Sequence, residues 1–407
     1  MTSFISQIFG SRSSKSVNVP AVQIYDVEDA VEKPGRSLKH LLKLNHAEHA
    51  LHNNTPISGL SISQNNVAHA LISAFLFGAN ENDLNSLYES ESKTLGPWKD
   101  SPGEVVGVDW RDYLGKKEYQ RAFLDFFEDQ LAEEGYDWKS VLHKFLFTGE
   151  GPLISSITAS AGQPLTHLAY GLKMSSSVVV MEALTLAATC YHDNDISKYS
   201  DDPSYFQQEP SYRSSSILEI LAKVRTDTRF CSESLAVAQE QNLEVIFRDR
   251  EAALLDHCNA WAISSDPVTD FHASQAAAAA IATGIESGVE DGSGLLYPLI
   301  MSHAILVLLP HTPKAFHISL LRQWWLMTLA IYIAQLRPEI QSGHVAAYNV
   351  HEKDWQWVSK QAISGPHAKN AQFVKGLHAL KEIDQAWKDS DEYYLKAAVL
   401  LINKFHG

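Results

Sequence analysis

Four histidines stand where helical packing would ordinarily place leucine or isoleucine: His46, His69, His167 and His303. Leu38, Leu42, Asn45, His46, His49 and Asn53 recur at i, i+4, i+7, i+8, i+11 and i+15, one continuous helix face. That face begins with leucines and runs into imidazoles and amides without turning to the solvent side. A turn, Thr55-Pro56-Ile57-Ser58-Gly59, separates it from a second helical pattern in which His69 shares a face with Ile72, Ser73 and Leu76. His167 lies in a stripe with Gly171, Met174 and Val178, and His303 in one with Leu299, Leu306 and Val307. Leaving one imidazole buried and unpaired costs about 1–3 kcal/mol. Taken singly, each reads as a hydrogen-bonded core histidine. Four on separate helices fit a cavity with converging imidazoles, open to metal coordination or to acid–base work on a bound molecule.

The elements that must position them are helices. Apolar residues recur with helical spacing over about 36–53, 63–78, 117–134, 138–147, 217–224, 235–247 and 252–262. The stretch 165–191 reads as one helix buried on both sides, and 275–284 as an alanine-rich helix suited to close packing. An apolar run from Leu295 carries His303; a helix after Pro310 passes through Trp324 and Trp325 and stops near Pro338. A helix over about 369–388 and a short C-terminal one close the chain, while 81–104 reads as a polar stretch and 193–212 as a polar loop. Sustained β alternation is scarce. The expected fold is all-α: a Ser/Val/Pro-rich arm over residues 1–30, then one large helical domain over 31–407 with long loops and a buried central site.

With 48 acidic and 33 basic residues the net charge is −15, which argues against nucleic acid or an anionic membrane surface as partner. Mean hydropathy is −0.16, and the apolar runs 295–309 and 324–334 fall short of the ~20 residues that span a bilayer. Three scattered cysteines, Cys190, Cys231 and Cys258, form no CxxC and suit a reducing compartment, so the expected location is cytoplasmic. The sequence contains no Walker A, GxGxxG, GxSxG or Glu-x-x-His, so no nucleotide, flavin or ferritin-like di-iron site is indicated. The oligomeric state is left open. On a helical wheel Lys375 lies opposite Phe373, Leu377, Leu380, Asp384 and Trp387, where a solvated lysine is expected.

Several short motifs carry a family resemblance. Leu41-Leu42-Lys43-Leu44-Asn45-His46, Asn65-Asn66-Val67-Ala68-His69-Ala70-Leu71, and Gln163-Pro164-Leu165-Thr166-His167-Leu168-Ala169-Tyr170-Gly171 resemble blocks of the questin-oxidase-like proteins. So do the segment around His303, Gln335-Leu336-Arg337-Pro338, and Phe373-Val374-Lys375-Gly376-Leu377-His378-Ala379-Leu380. The resemblance covers roughly residues 36–390. It implies an enzyme, an oxygenase of secondary metabolism that uses O₂ to cleave a ring C–C bond of an anthraquinone-type aromatic polyketide. It also implies a non-haem Fe(II) held by His46, His69, His167, His303 and Lys375. As a carbamate, Lys375 would add an anion to four neutral imidazoles. His49, Tyr170 and His378 become acid–base candidates, and Phe75, Trp324 and Trp325 candidates to line an aromatic pocket. Two alternatives stand beside it: a metal- and flavin-free Baeyer–Villiger oxidase on the same substrate class, and a carrier that binds the polyketide without chemistry. Positions where the resemblance leads one to expect histidine hold Gln64, Asn66, Ala70, Gln163 and Gln372.

Overall fold

The computed structural model describes residues 16–52, 64–232, 235–238, 241–285 and 292–405. Asn53, the turn 55–59 and the first half of the arm lie outside them. Among the described residues no sheet forms, only isolated bridges such as His49 with Pro97, so the all-α expectation holds. The helices run in the order α1 (Lys33–Glu48), α2 (Val67–Leu76), α3 (Glu81–Glu91), α4 (Gln120–Glu133), α5 (Trp138–Phe147) and α6 (Ala159–Lys173). Then come α7 (Ser177–Thr189), α8 (Ile196–Asp201), α9 (Ile217–Thr226), α10 (Gln241–Asp249), α11 (Glu251–Ala260) and α12 (Pro267–Thr283). The chain ends with α13 (Tyr297–Leu308), α14 (His317–Ala334), α15 (Ser342–Ala347), α16 (Trp355–Ser364), α17 (Ala371–Trp387) and α18 (Tyr393–Lys404).

Local chemistry sets many of the boundaries. Asn80 opens α3 with a reciprocal capping box to Asp83, and Asp137, Ser216, Asp266, Asp354 and Asn370 cap α5, α9, α12, α16 and α17. Three expectations need correction. The stretch 165–191 is two helices, because Met174 closes α6 and Ser175 turns left-handed (φ 49°) before α7 begins. The polar stretches 81–104 and 193–212 contain α3 and α8, short helices whose few apolar residues are buried. α1 ends at Glu48, with His49 extended (φ −123°), so His49 leaves the helix face that carries His46.

α6 and α7 form the central hairpin. Gly171 permits their close approach: a Cβ there would come 2.9 Å from a Val180 methyl. The hairpin is also the seam between two apolar clusters. α1, α2 and α3 build a smaller one with Tyr170, Met174 and Val179, while Leu165, Leu168 and Val180 face a larger one containing α13 and α14. Each fully buried aliphatic side chain there contributes about 1.5–3 kcal/mol. The window Gly294–His311 has the length and apolarity of a membrane span but is 89% buried, the mark of a core helix. The described part of the arm is anchored rather than loose. Val17 and Val27 are buried, and the Tyr25 and Val27 amides donate to the Lys173 and Met174 carbonyls.

Candidate active site

The seam holds a connected set of ionisable side chains. His46 comes from α1, His69 and Ser73 from α2, Glu128 from α4, His167, Tyr170 and Lys173 from α6, and Glu182 from α7. His303 comes from α13, and Lys375, His378 and Glu382, at i, i+3 and i+7, from one face of α17. The start of α6 is bent to deliver its share. Ser160, Ala161 and Gly162 are all left-handed, and a Cβ on Gly162 (φ +77°) would lie 2.2 Å from Met301.

One half of the network is organised by Glu182, a charge buried at 1% exposure. Its Oε1 lies 3.0 Å from His46 Nδ1 and its Oε2 2.8 Å from His167 Nε2, while His46 Nε2 reaches Glu128 at 2.8 Å. Burial alone favours a neutral His46 ring, but the two carboxylates outweigh it and lift the group to about 9. Burial likewise works against the Glu182 carboxylate, and its two imidazole partners still hold it down at about 2. His46 is therefore a cation donating from both nitrogens.

The donor–acceptor pattern propagates inward. Asn66 is oriented by donating its Nδ2–H to the Gln64 carbonyl (3.0 Å). Its Oδ1 then accepts from Lys375 Nζ at 2.9 Å and from His69 Nδ1 at 3.2 Å. Burial, with the charges of Lys375 and His167 nearby, pushes His69 well below its ordinary value, so its Nε2 is bare. His167 Nδ1, 2.9 Å away, donates to it. His167 must then also donate from Nε2 to Glu182, which makes it the cationic partner of the buried carboxylate. Lys375 is 1% exposed, and burial pulls its ammonium down to about 7, against the opposing pull of the Glu91 carboxylate.

Tyr170 joins this half to the other. Its ring stacks on His69 (centroids 5.0 Å apart, 18° between planes) and on His378 (5.8 Å, 28°). Its hydroxyl lies 2.6 Å from Ser73 Oγ and 3.4 Å from His378 Nδ1, and burial keeps it a phenol far above the usual range. Beyond it, Glu382 Oε2 accepts from His303 Nε2 at 2.8 Å, and Oε1 pairs with the Lys173 ammonium. Burial would raise the Glu382 carboxyl, but its neighbours His303 and Lys173 hold it well below the usual range. Burial pushes His378 down to about 3.

The family profile of the Questin oxidase-like proteins matches residues 63–380, most of the chain and all of this network except His46 and Glu382. The chain belongs to the Questin oxidase-like family. It is 25% identical over 199 residues to the Baeyer–Villiger oxidase AgnL3 of Paecilomyces divaricatus (46% of this chain, 41% of the relative). It is 25% identical over 163 residues to the questin oxidase of Aspergillus terreus (38% and 34%). With the Baeyer–Villiger oxidase GME11358 of Pestalotiopsis microspora it shares 22% identity over 362 residues (80% and 78%). The matched stretches thus span well under half of the first two relatives.

The residues singled out in the sequence divide in space. His46, His69 and His167 join one bonded chain with Lys375, whereas His303 pairs with Glu382 beyond the Tyr170 ring. Among the described residues no three of the four histidines bring ligand atoms within 4.8 Å of one another; His303, His378 and Glu382 do. Tyr170 and His378 sit inside the network, but His49 does not: its Nδ1 has no partner and its ring packs 6.3 Å from Tyr88. Lys375 is buried rather than solvated, because both faces of α17 are covered. Phe75 lines a cavity of about 320 Å³ with Tyr25, Val27 and Met174, next along the chain from Lys173. Trp324 and Trp325 lie elsewhere, fully buried against Trp261 at 6.2 and 6.0 Å, as core.

Sequence reasoning passed over Glu182, Glu382, Lys173 and Glu128, and named Asn66 only as a position where the resemblance leads one to expect histidine. Glu182 left a signal, being the one charged residue in Ser177–Thr189. Glu382 left another in its i+4 and i+7 spacing from His378 and Lys375.

Proposed function

We propose that this chain uses O₂ to open a ring of a hydroxylated, anthraquinone-type aromatic polyketide. The family supports oxidative chemistry, since its named relatives are questin oxidases and Baeyer–Villiger oxidases. The observation that carries the reading is Lys375: an amine buried at 1% exposure, lowered to about 7, and held by Asn66 beside a neutral His69. Such a lysine takes a proton from a substrate phenol near neutral pH and then remains as the ammonium that holds the phenolate. An electron-rich phenolate ring is the form that gives up electrons to O₂. The cationic His167, backed by Glu182, places positive charge one imidazole away from Lys375's partner, where negative charge on oxygen develops.

The iron implied by the resemblance does not fit its five expected ligands. His46 donates from both nitrogens to carboxylates and has no lone pair to offer, and His303 lies beyond Tyr170.

The test is oxygen consumption with questin or a related hydroxyanthraquinone. Uptake that depends on substrate, together with a product whose mass shows incorporated oxygen, supports the reading. Lys375→Met should retain substrate binding and lose uptake. Tight binding of the anthraquinone by wild-type protein with no O₂ consumed would leave the carrier function instead.

A further inference from the structure

The inner end of the network contains an electrostatic problem that hydrogen bonding leaves unsolved. His378 Nε2 is buried, has no hydrogen-bond partner among the described residues, and lies 3.8 Å from Glu382 Oε2. If its Nδ1–H donates toward the Tyr170 oxygen (3.4 Å), the bare Nε2 lone pair faces a carboxylate oxygen. In the other tautomer an N–H is buried without an acceptor in range. On the same oxygen, His303 Nε2 sits at 2.8 Å, and one ligand atom from each of the three residues falls within 4.8 Å of the others.

We propose that His303 Nε2, His378 Nε2 and Glu382 Oε2 form a binding site for one divalent transition-metal ion. Bonds of about 2.0–2.2 Å at right-angled or tetrahedral geometry put neighbouring ligands about 2.8–3.6 Å apart. The observed 2.8 and 3.8 Å from the two imidazoles to Glu382 Oε2 lie at or within a few tenths of an ångström of that range, and the two imidazoles, within 4.8 Å of each other, draw together on binding. Two imidazoles and one carboxylate select Fe(II), Co(II) or Zn(II) over Mg²⁺ or Ca²⁺, and leave coordination positions open. The surroundings suit the role. Tyr170, itself bonded to Ser73, meets His378 Nδ1 and so turns the Nε2 lone pair inward. Lys173 takes Oε1 of Glu382 and leaves Oε2 to face the two imidazoles. Metal entry displaces the proton that His303 shares with Glu382. Lys375 and His69 take no part in this site.

The experiment measures metal binding alone, without O₂ or substrate, so its outcome is independent of the proposed reaction. Chelator-treated protein is titrated with Co(II), following the visible d–d absorption and the bound stoichiometry. One equivalent is expected for wild type. His378→Gln, which removes one weak hydrogen bond and the ring contacts to Tyr170, His303 and Phe77 but no charge-paired hydrogen bond, and should fold, is expected to lose roughly 100-fold or more in affinity, and Tyr170→Phe roughly 10-fold. Glu382→Gln should behave like His378→Gln where circular dichroism shows it folded. Lys375→Ala and His69→Ala should bind Co(II) as wild type does. Retention of full affinity in His378→Gln, or loss of the ion in Lys375→Ala with retention in His378→Gln, overturns the assignment. Absence of a tight equivalent in wild type, with a water bridging the two groups instead, overturns it too.

Discussion

Replacing Lys375 by methionine should make the protein more stable while destroying its activity. The folded structure holds this amine at about 7 against an ordinary 10.5, and that gap corresponds to about 5 kcal/mol of preference for the unfolded chain near neutral pH. Methionine fills a similar volume without charge. It leaves Asn66 Oδ1 with one donor, His69, instead of two, a loss of about 1 kcal/mol. With imperfect packing of the new side chain, a net gain of about 3 kcal/mol remains. At roughly 2 cal/mol/K of unfolding entropy per residue, that is about 3–4 °C in Tm for a chain of this length. The pH dependence is more diagnostic. Between about 7 and 10.5 the unfolded chain carries a proton on Lys375 that the folded chain does not, so this group makes wild-type stability rise with pH across that window. His46 acts in the opposite sense. Its folded value is raised from 6.5 to about 9, so its contribution is full below 6.5 and is lost as pH rises through about 9. The two slopes offset each other in wild type, and only the difference between wild type and Lys375→Met isolates the lysine. Urea unfolding of both proteins at pH 6, 7, 8, 9 and 10 measures that difference. A variant less stable than wild type at pH 7, or a difference that does not shrink as pH rises, refutes the account of Lys375 as a strained buried amine.

Glu182→Gln leaves His46 and His167 without their shared buried counter-charge and should destabilise the protein by about 3–5 kcal/mol; the His46 ring, followed by NMR, should titrate well below about 9. The same carboxylate makes wild-type stability acid-sensitive. Its folded value of about 2 lies below the ordinary 4.5, so its contribution is full above pH 4.5 and lost as pH falls toward about 2, a slope that the Gln variant should lack in acid unfolding. Gly162→Ala places a Cβ 2.2 Å from Met301 at a left-handed position and should cost about 3 kcal/mol by denaturant titration, with part recovered in the double variant Gly162→Ala, Met301→Ala.

The sequence by itself determined the helices and the residues that leave the apolar pattern. Periodicity placed most helices within a few residues, because amphipathic faces and caps such as Asp137 and Asn370 act locally. It also singled out His46, His69, His167 and His303, since an imidazole on an apolar stripe is visible without knowing its neighbours. Tertiary structure decided which of these residues meet. The wheel of α17 separated Lys375 from the apolar side, but a wheel cannot tell water from a polar interior when both faces are covered. The break at Ser175 made a hairpin of one apolar run and brought Glu182 back over His167, a pairing across fifteen positions that no local pattern encodes. Protonation was decided last. His46 and His69 are the same residue type on similar faces, yet one is a cation between two carboxylates and the other a neutral ring, because charge in a buried site depends on partners that only the assembled helices supply.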